Sequence, residues 1–501
     1  MGEAQGRMFE PEFNRSVKVE ASDCRLTSDA GAVLLREFDH RLELTAAIAA
    51  QFHDPRDPDA IRYEMVELLR ERIYLQALGY SVQDDADRLA HDPALRASVW
   101  DRPGQDVVNE RLASQPSQSR FVTRLAESPI NRRVMHRSLG ESLRRYMAAA
   151  SGTERRVRRA TIDVDSFPIL VHGKQHGAAY NGHYGDVAYH PLVASFCVEG
   201  NYDSAVAEGR RLGNGFLHAA LRQGQVHTAH GIKRFVEHVV REAKTVAWSF
   251  DLRLDAGFTS GEVLDYLTDE KLHFVGRLKK NDVLVAMAEP HLRRPVGRPP
   301  KDGYFDLIEL GMYQAESWRH PQRIVLIVDD APDPHTGQLN LIPRFFFLVS
   351  NYTKERLSSE HLLEHYRQRG TFEDRLGEFQ QAIGPHLSSP GFHENEMLLL
   401  LSLLAFNLLS FVRLEVEFSL GSCWDLHRVQ TQVLKVGAQV VKHARRLVFQ
   451  VAQAVRPIWE RLQARLAAWI LPPNRPPTRP PRSRPWVPPP SHSHHQFVLR
   501  L

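Results

Sequence analysis

The sequence predicts an α/β protein, with a mixed sheet flanked by helical N-terminal and C-terminal parts. Apolar residues recur at helical spacing through residues 25–150 and again from residue 358 to residue 470. Near residue 160, short β-branched and aromatic runs begin to alternate with helical patterns, which indicates a mixed α/β sheet. Residues 283–350 interrupt this alternation with several consecutive strand-like runs and turn signals, which predict a β-rich insertion.

These patterns divide the chain into parts of different composition. We expect a helical N-terminal domain (1–155), an α/β core in two pieces (156–282 and 351–385), the β-rich insertion (283–350), a helical C-terminal part (386–471) and a proline- and arginine-rich tail (472–501). Ten prolines between Pro472 and Pro490 favour an extended, disordered tail. The longest apolar run, Met397 to Val412, has 16 residues including three polar ones, which predicts a buried core helix rather than a membrane span.

The overall composition is that of a globular protein, with 43% hydrophobic and 25% charged residues. The first residues, "MGEAQGRMFEPEF", lack the basic-then-apolar pattern of a secretory signal. The three cysteines are far apart and form no CxxC pair, which argues against a disulfide framework and a zinc finger. We therefore expect a protein of the reducing cytoplasm.

Positive charge is concentrated locally rather than spread over the chain. The tail holds five Arg and no acid, so 59 of the 64 Lys and Arg residues and all 60 acidic residues lie in residues 1–471. From Arg120 to Arg159 there are eleven Arg and three acids, ending in "ERRVRRA". This excess predicts contact with a nucleic-acid backbone, the alternative being a solvated helix face.

Acidic residues in three stretches of the sequence suit metal-dependent chemistry on a phosphodiester. Such chemistry needs two divalent cations roughly 4 Å apart, held by carboxylates. In "TIDVDSF", Asp163 and Asp165 lie on one face of a predicted strand, and in "LRLDAGF" Asp255 ends a second strand. Glu373 lies on the helix predicted after the insertion. Alone, each acid would be a cap or turn residue, but their order within one α/β unit favours a shared site.

The predicted helix that carries Glu373 reads "HYRQRGTFEDR". Tyr366, Arg369 and Glu373 are three and four residues apart, so their side chains would project from one face. A phenol and a guanidinium can both hydrogen-bond to phosphate oxygens. This face therefore combines a possible metal ligand with possible phosphate-binding groups.

The ordered set of motifs resembles the DDE transposases of bacterial insertion sequences, in particular the branch with the motif Tyr-x2-Arg-x3-Glu-x6-Lys. Tyr366, Arg369 and Glu373 match this motif, whereas Gln380 stands at its last position. The stretches "LTSDAGAVLLREFD", "GYSVQDDADRLAHDP", "GKQHGAAYNGHYGD" and "LDAGFTSGEVLDYL" resemble one group in that branch. The resemblance spans residues 20–450 in approximate terms and leaves out the proline-rich tail.

The resemblance implies a ribonuclease-H-like core that binds two Mg²⁺ ions, with Mn²⁺ as a substitute. It implies a DNA transposase whose helical N-terminal domain (1–155) recognises the element's ends. Such an enzyme nicks double-stranded DNA at those ends, joins the strand to target DNA, and acts as at least a homodimer, in the cytoplasm with the nucleoid. By motif match, Asp165, Asp255 and Glu373 are the catalytic metal ligands, with Asp163 as the alternative first ligand.

The resemblance further implies that Tyr366 and Arg369 contact DNA phosphate near the cleavage point. Gln380 supplies no charge, so either the helix tolerates its loss or Lys279 and Lys280 substitute.

Other residues are candidates for DNA contact. Arg155, Arg156, Arg158 and Arg159 end the basic segment, Arg298 lies in the Gly-Arg-Pro of "RRPVGRPPK", and Trp318 lies in the insertion. An extended Arg-Pro segment can enter a narrow minor groove, and a Trp ring can stack on an unpaired base. A proline-rich loop without such a role and a tryptophan in the core are the alternatives.

Two other functions are compatible with the sequence. A transposase-derived DNA-binding protein without catalysis is supported by Gln380, whereas retention of all three acids speaks against it. A nuclease on the same core that never joins strands cannot be separated from a transposase by these motifs.

Overall fold

The structure is a computed structural model that describes most of the chain. It describes residues 7–469 except 10, 15, 22, 103, 152–155, 183–184, 199–214, 227–229, 295–296, 298–299, 301–302, 333–337 and 340–341. The predicted tail, 472–501, lies outside the described residues, as do Arg155 and Arg298.

The α-helices occur in three groups along the chain. The first group is α1 (Ala32–Leu42), α2 (Leu44–Ala49), α3 (Met65–Ala77), α4 (Asp85–Leu89), α5 (Pro93–Val99), α6 (Gln115–Glu127) and α7 (Pro129–Ser151). The second is α8 (Ile232–Val246), α9 (Gly261–Asp269) and α10 (Asp282–Ala288). The third is α11 (Ser359–Arg367), α12 (Gly370–Ala382), α13 (Phe392–Leu420), α14 (Leu426–Val429) and α15 (Arg456–Ala468).

The strands begin near the N-terminus and continue between and after the helices. They are β1 (Arg7–Phe9), β2 (Val19–Glu20), β3 (Leu26–Thr27), β4 (Val157–Ser166), β5 (Ile169–Leu170), β6 (Ala179–Asn181), β7 (Asp186–Tyr189), β8 (Leu192–Val198), β9 (Gly215–Ala220), β10 (Ala247–Leu254), β11 (His273–Leu278), β12 (Tyr304–Tyr313), β13 (Gln322–Asp330), β14 (Arg344–Ser350), β15 (Ala438–His443) and β16 (Arg446–Val451).

Eight of these strands form one sheet in the order β12-β13-β14-β11-β10-β4-β8-β9. β10 is parallel to both β4 and β11, whereas the other neighbours in the sheet are antiparallel. The predicted mixed α/β architecture with helical parts is thus confirmed. Because the carboxyl ends of parallel strands meet at one edge, β4, β10 and β11 end side by side, at what we call the catalytic edge after the catalytic acids that the sequence predicts there.

The helices between the parallel strands are strongly amphipathic. On α8, apolar side chains at a spacing of three and four residues are buried: Ile232, Phe235, Val236, Val239, Val240 and Ala243. This spacing places them on one face, which covers the sheet, while charged residues such as Arg241 face outward. The local pattern therefore forms the helix, and its apolar face orients it on the sheet.

The three strands within residues 283–350, the segment predicted as a β-rich insertion, join the central sheet. β14 pairs antiparallel with β11, and β13 and β12 extend the sheet from there. Backbone groups on β11 that would otherwise be an unpaired edge are thereby hydrogen-bonded. The segment is β-rich as expected, but its strands continue the core sheet instead of forming a separate layer.

The C-terminal part, predicted to be helical, also contains a β-hairpin. β15 pairs with β16 and, on its other side, with β3 near the N-terminus. The turn is formed by Ala444 and Arg445, whose φ angles of 45° and 65° lie in the left-handed region. Such turns usually carry Asn or Gly, so the ordinary sequence signal for a hairpin is missing here.

Helix α13 occupies the centre of the protein. Its most apolar 18-residue window is 94% buried, and by length and composition it is the one described helix that could cross a membrane. It packs against α3, α6, α7, α15 and β9, so N-terminal helices and sheet share one core. The predicted buried core helix is confirmed.

Polar residues that interrupt the apolar run of α13 make specific bonds to its neighbours. Asn407 accepts a hydrogen bond from the Phe216 backbone N–H (2.7 Å) and donates to the Phe216 carbonyl (2.8 Å). It thereby satisfies backbone groups on β9, the last strand of the sheet. Ser402 accepts a hydrogen bond of 2.8 Å from Gln76 on α3. These bonds fix the sheet edge and the N-terminal helices to the same helix.

Candidate active site at the catalytic edge

Two of the predicted acids and one arginine lie side by side at the carboxyl ends of the three parallel strands. The paired residues just before them are Val164, Leu254 and Gly276. The next residues along β4, β10 and β11 are Asp165, Asp255 and Arg277, and neighbouring strands lie about 4.8 Å apart. The strand register therefore brings Asp165 and Asp255 together and adds Arg277, which the sequence reasoning missed.

Glu373 reaches the same edge from the helices that follow the sheet. The single helix expected from the sequence is broken, since α11 ends at Arg367 and α12 begins at Gly370. The backbone N–H of Arg369 still donates to the Tyr366 carbonyl (2.9 Å), and Arg369 lies one turn before Glu373. Tyr366, Arg369 and Glu373 therefore remain close to one another despite the break.

Arg369 connects the helices to the strands. Its Nη2 donates to Asp165 Oδ2, and its Nη1 donates to Glu373 Oε1 at 3.0 Å. The side chains of Arg369 and Asp165 are 10% and 16% exposed, whereas that of Glu373 is 65% exposed. A single guanidinium thus lies between two of the predicted metal ligands.

Negative charge at this edge changes the ionisation of its neighbours. Burial raises the pKa of Asp165 to about 6, and the charges of Asp255 and Glu373 act in the same direction, against Arg369. Burial alone would lower the pKa of Arg369, but the nearby carboxylates raise it overall. The carboxylates therefore form an electrostatic cluster that favours a cation.

Tyr366 faces the same cluster. Burial raises the pKa of Tyr366 to about 12, and the two strand carboxylates act in the same direction, whereas Arg369 and Arg277 oppose it. The phenol is consequently protonated at neutral pH and able to donate a hydrogen bond. Arg277 is exposed at the end of β11, and its charge is close enough to act on the pKa of Tyr366.

Asp163, the alternative first metal ligand, is held in a different environment. Both of its carboxylate oxygens accept hydrogen bonds from Arg253, at 2.6 and 2.7 Å, and both side chains are almost fully buried. Arg253 also donates to the carbonyl of His365 (3.1 Å) and to Gln368 Oε1 (3.3 Å). Asp163 therefore joins two strands to the end of α11, through an arginine that the sequence reasoning overlooked.

The donor set suits a divalent metal ion, although its present geometry is not a coordination sphere. Asp165, Asp255 and Glu373 offer carboxylate oxygens, which are the ligands that Mg²⁺ prefers. Within the described parts of the chain, no three His, Cys, Asp or Glu side chains are close enough to hold a metal ion. Arg369 lies between two of the carboxylates, where its charge balances theirs. The residues fit the metal in chemistry and charge.

The residues proposed to replace the missing lysine lie near the same edge. Lys279 and Lys280 are exposed just after β11, and Lys280 Nζ lies 3.5 Å from the centre of the Phe345 ring. Gln380 is exposed on α12, seven residues after Glu373 and so roughly 10 Å further along the helix. Their part in DNA binding stays a prediction.

The described arginines that end the basic segment, Arg156, Arg158 and Arg159, lie at the opposite end of β4. Arg158 is seven residues before Asp165, which corresponds to roughly 23 Å along a strand. Arg159 pairs with Asp251 at 2.8 Å, and Arg156 lies over the Trp248 ring at 4.8 Å. The structure therefore does not bring these arginines to the catalytic edge.

Trp318 is placed in the core rather than at a DNA-facing surface. It is 7% exposed and packs edge-on against Tyr313, with ring centres 5.5 Å apart. A Cβ atom added at Gly261 would lie 2.6 Å from the indole, so the glycine leaves room for the ring. The structure does not support the prediction that Trp318 stacks on an unpaired base, because its faces are covered.

Acids on β4, after β10 and on α12, around one sheet edge, follow the order of the DDE class of transposases that the sequence motifs indicate. A family model described as transposase DDE domain group 1 matches residues 9–469. The chain belongs to this family, and it is a DDE transposase.

Two further comparisons were made with known proteins. No curated protein matches the sequence. Among solved structures, the chain is similar to the cryo-EM structure of the piggyBac transposase synaptic complex with hairpin DNA. The two are 12% identical, the match covers 89% of this chain and 82% of that chain, and the TM-score is 0.39. At this distance the likeness assigns no individual residue.

Proposed function

We propose that the protein binds the ends of an insertion sequence, cleaves phosphodiester bonds there and transfers the 3′-hydroxyl strand to target DNA. The observation that carries the proposal is the contact of Arg369 with Asp165 and Glu373 beside Asp255. Residues from distant parts of the sequence converge there on one sheet edge. Such convergence is what phosphoryl transfer by positioning and charge stabilisation needs.

The strand arrangement supports a ribonuclease-H-like core. Five neighbouring strands, β9-β8-β4-β10-β11, run antiparallel on the β9 side of β4 and parallel on the β11 side. The proposed catalytic acids lie on the central strand β4, directly after the parallel strand β10, and on the helix α12. This arrangement agrees with the ribonuclease-H-like core that the DDE motifs imply.

Asp165, Asp255 and Glu373 would hold two Mg²⁺ ions, or Mn²⁺ in their place. When bound, the two cations supply stabilisation for the negative charge on the attacking and leaving oxygens. The pairing of Asp163 with Arg253 supports Asp165 as the first ligand, because Asp163 has no carboxylate oxygen without a charged partner.

The chain's own side chains would position the phosphate being cut. Tyr366 is a protonated phenol, and Arg369 and Arg277 are guanidiniums at the same edge. All three can donate hydrogen bonds to phosphate oxygens, and the guanidiniums add charge. Arg277 therefore joins Tyr366 and Arg369 in the proposed phosphate-binding set, with Lys279 and Lys280 next along the chain.

The proposed reaction defines the partners. Double-stranded DNA takes part both as the element's ends and as the target, and two ends must be held together. We therefore propose a homodimer on DNA, in the cytoplasm with the nucleoid.

The test is a cleavage assay on DNA that carries the inverted ends flanking the gene, in Mg²⁺ and in Mn²⁺. Asp165→Asn, Asp255→Asn and Glu373→Gln should each abolish cutting. Asp374→Asn is the matched control, because Asp374 is an exposed acid adjacent to Glu373 and is outside the proposed site. A control that cuts like the wild type beside three inactive variants supports the site.

Product analysis separates the rival functions. Joining of the cut strand to a second duplex supports a transposase, whereas cutting without joining indicates a nuclease. A wild type that binds the ends but never cuts indicates a DNA-binding protein. Any of the three acid variants that cuts normally refutes the assigned site.

A further inference from the structure

A second basic site lies among the N-terminal helices, away from the catalytic edge. A cavity of about 420 Å³ is lined by five arginines and a tyrosine: Arg56, Arg62, Tyr63, Arg111, Arg120 and Arg124. One wall is formed by residues of the segment before α3. The other wall is formed by α6 together with Arg111 and Leu112 before it. We call this cavity the arginine cleft.

Three of the five arginines have no described carboxylate within ion-pair distance. Arg56 is paired with Asp54 (2.7 Å) and Arg111 with Asp87 (3.0 Å). Across the described residues, the other three make no ion pair with a carboxylate. They are Arg62, Arg120 and Arg124. The cleft thus carries an excess of positive charge, and uncompensated like charges in a concave surface favour an anionic ligand.

The guanidiniums have donors available for such a ligand. Arg120 donates only a long hydrogen bond of 3.3 Å to Ser117, and Arg62 lies 5.2 Å from the Tyr63 ring centre. Arg124 Nε is buried and has no hydrogen-bond partner in the described part of the chain. A buried unpaired donor is costly, and a phosphate oxygen would satisfy it.

The secondary structure supports the cleft. Ser117, Arg120 and Arg124 are three and four residues apart, so they project from one face of the 13-residue helix α6. Ser114, the N-cap of α6, also lines the cavity. The positive end of the helix dipole therefore adds to the arginine charges. On the facing wall, Tyr63 Oη donates to the Leu112 carbonyl at 3.1 Å, which ties the two walls together.

Two further arginine contacts lie beyond the cleft. Arg124 also lines a second cavity of about 470 Å³, together with Arg133 at the start of α7 and one acid, Glu127. Arg133 donates to the Pro129 carbonyl (3.1 Å), and no described carboxylate pairs with it. A small anion would need one cavity, whereas adjoining cavities that each have an excess of arginines over acids match successive phosphates of a polymer.

We infer that the arginine cleft binds the phosphate backbone of duplex DNA, with Arg62, Arg120 and Arg124 as the contacting residues. This inference rests on the proposed function, since it takes DNA as the partner. It adds a DNA-binding surface on helices that carry none of the proposed catalytic residues. Such contacts would hold the duplex without reading its sequence.

The test measures the salt dependence of duplex binding in EDTA, so that cleavage plays no part. Each phosphate contact contributes about 0.9 to the magnitude of the slope of log K against log salt. The Arg62→Gln/Arg120→Gln double variant should reduce that magnitude by roughly 2 and weaken binding to element ends and unrelated duplexes alike. The matched control is Arg88→Gln/Arg461→Gln, which removes two exposed arginines outside the cleft and should leave the slope unchanged.

A second measurement uses the wild-type protein and so does not depend on folding of a variant. Bound duplex should protect Arg62 and Arg120, but not Arg88, from modification by phenylglyoxal, read by mass spectrometry. Equal slopes for wild type and cleft variant, or no protection of Arg62 and Arg120 by duplex that is bound, overturn the inference alone. A wild type that binds no DNA overturns the proposed function as well.

Discussion

Arg253 and Asp163 lie directly opposite each other on neighbouring parallel strands and are joined by two hydrogen bonds of 2.6 and 2.7 Å. Two residues further along β4, Asp165 has the same orientation but meets Arg369 from the helical part of the chain. One carboxylate therefore holds the sheet to α11, and the other faces the proposed metal ions. This difference leads to separate predictions for two acids that look alike in the sequence.

Asp163→Asn should destabilise the protein strongly. Removing one partner of a buried ion pair leaves an uncompensated charge and costs roughly 3–5 kcal/mol. Asp165→Asn should cost less, because Asp165 is partly exposed and Arg369 keeps its contact with Glu373. Urea denaturation gives both free energies of unfolding, and a larger loss for Asp165→Asn would contradict the assigned roles.

Metal binding should weaken as the pH falls through 6. Burial raises the pKa of Asp165 to about 6, and a carboxyl group must be ionised to bind a divalent cation. At pH 5.5 this group alone should weaken Mn²⁺ binding about fourfold relative to pH 7.5. Calorimetric titration at the two pH values measures this, with Asp374→Asn as a control that should behave like the wild type.

The same pKa has a consequence for the metal-free protein. The folded pKa of Asp165 lies above its ordinary value of 3.8, so the group's contribution to stability is present below pH 4. It is lost as the pH rises from about 4 to about 6, because the folded state must then carry the buried charge. Addition of Mn²⁺ at pH 7.5 should therefore raise the Tm of the wild type more than that of Asp165→Asn.

Arg277→Gln should lower the cleavage rate without lowering stability. A hydrogen bond to a charged group is worth roughly 1.5–3 kcal/mol, which corresponds to about 10- to 150-fold in rate. Lys271→Gln, an exposed substitution just before the other end of β11, is the control and should leave the rate unchanged. Equal rates for Arg277→Gln and the wild type would remove Arg277 from the phosphate-binding set.

Trp318→Ala and Trp248→Ala should affect different properties. Trp318 is 7% exposed, so its removal should cost about 3–5 kcal/mol of stability and leave the DNA affinity of the folded fraction unchanged. Trp248 is 69% exposed, so its removal should change stability little. Thermal unfolding and duplex binding, measured on both variants, check the pair. A loss of DNA affinity in folded Trp318→Ala would instead support the prediction that Trp318 contacts DNA.

The order of the acids could be predicted because each lies in a local pattern. Asp165 and Asp255 follow short hydrophobic runs, and Glu373 follows the last strand at a helical spacing from Arg369. Periodicity could not separate Asp163 from Asp165, since both lie on the same face of β4. Only the residue opposite, Arg253, distinguishes them, and strand register depends on the whole sheet.

Other features depended on contacts that no local pattern contains. The turn at Ala444 and Arg445 contains neither Asn nor Gly. The sequence therefore predicts a helix where the structure has the β15–β16 hairpin. Arg120 belongs to a basic segment that is visible in the sequence. It lies near Arg62 only because α6 packs beside the segment that precedes α3. Charge could be counted from the sequence, whereas the cleft that gathers it could not.

Under the proposed function, the central position of α13 has a consequence for how the protein would bind DNA. Because one helix is packed against α3, α6 and β9 alike, the N-terminal helices cannot swing away from the sheet without exposing that apolar core. The spacing between the arginine cleft and the catalytic edge is thus built into the monomer. In a duplex that contacts both sites, the protein would therefore fix the number of base pairs between the backbone bound in the cleft and the phosphate that is cut.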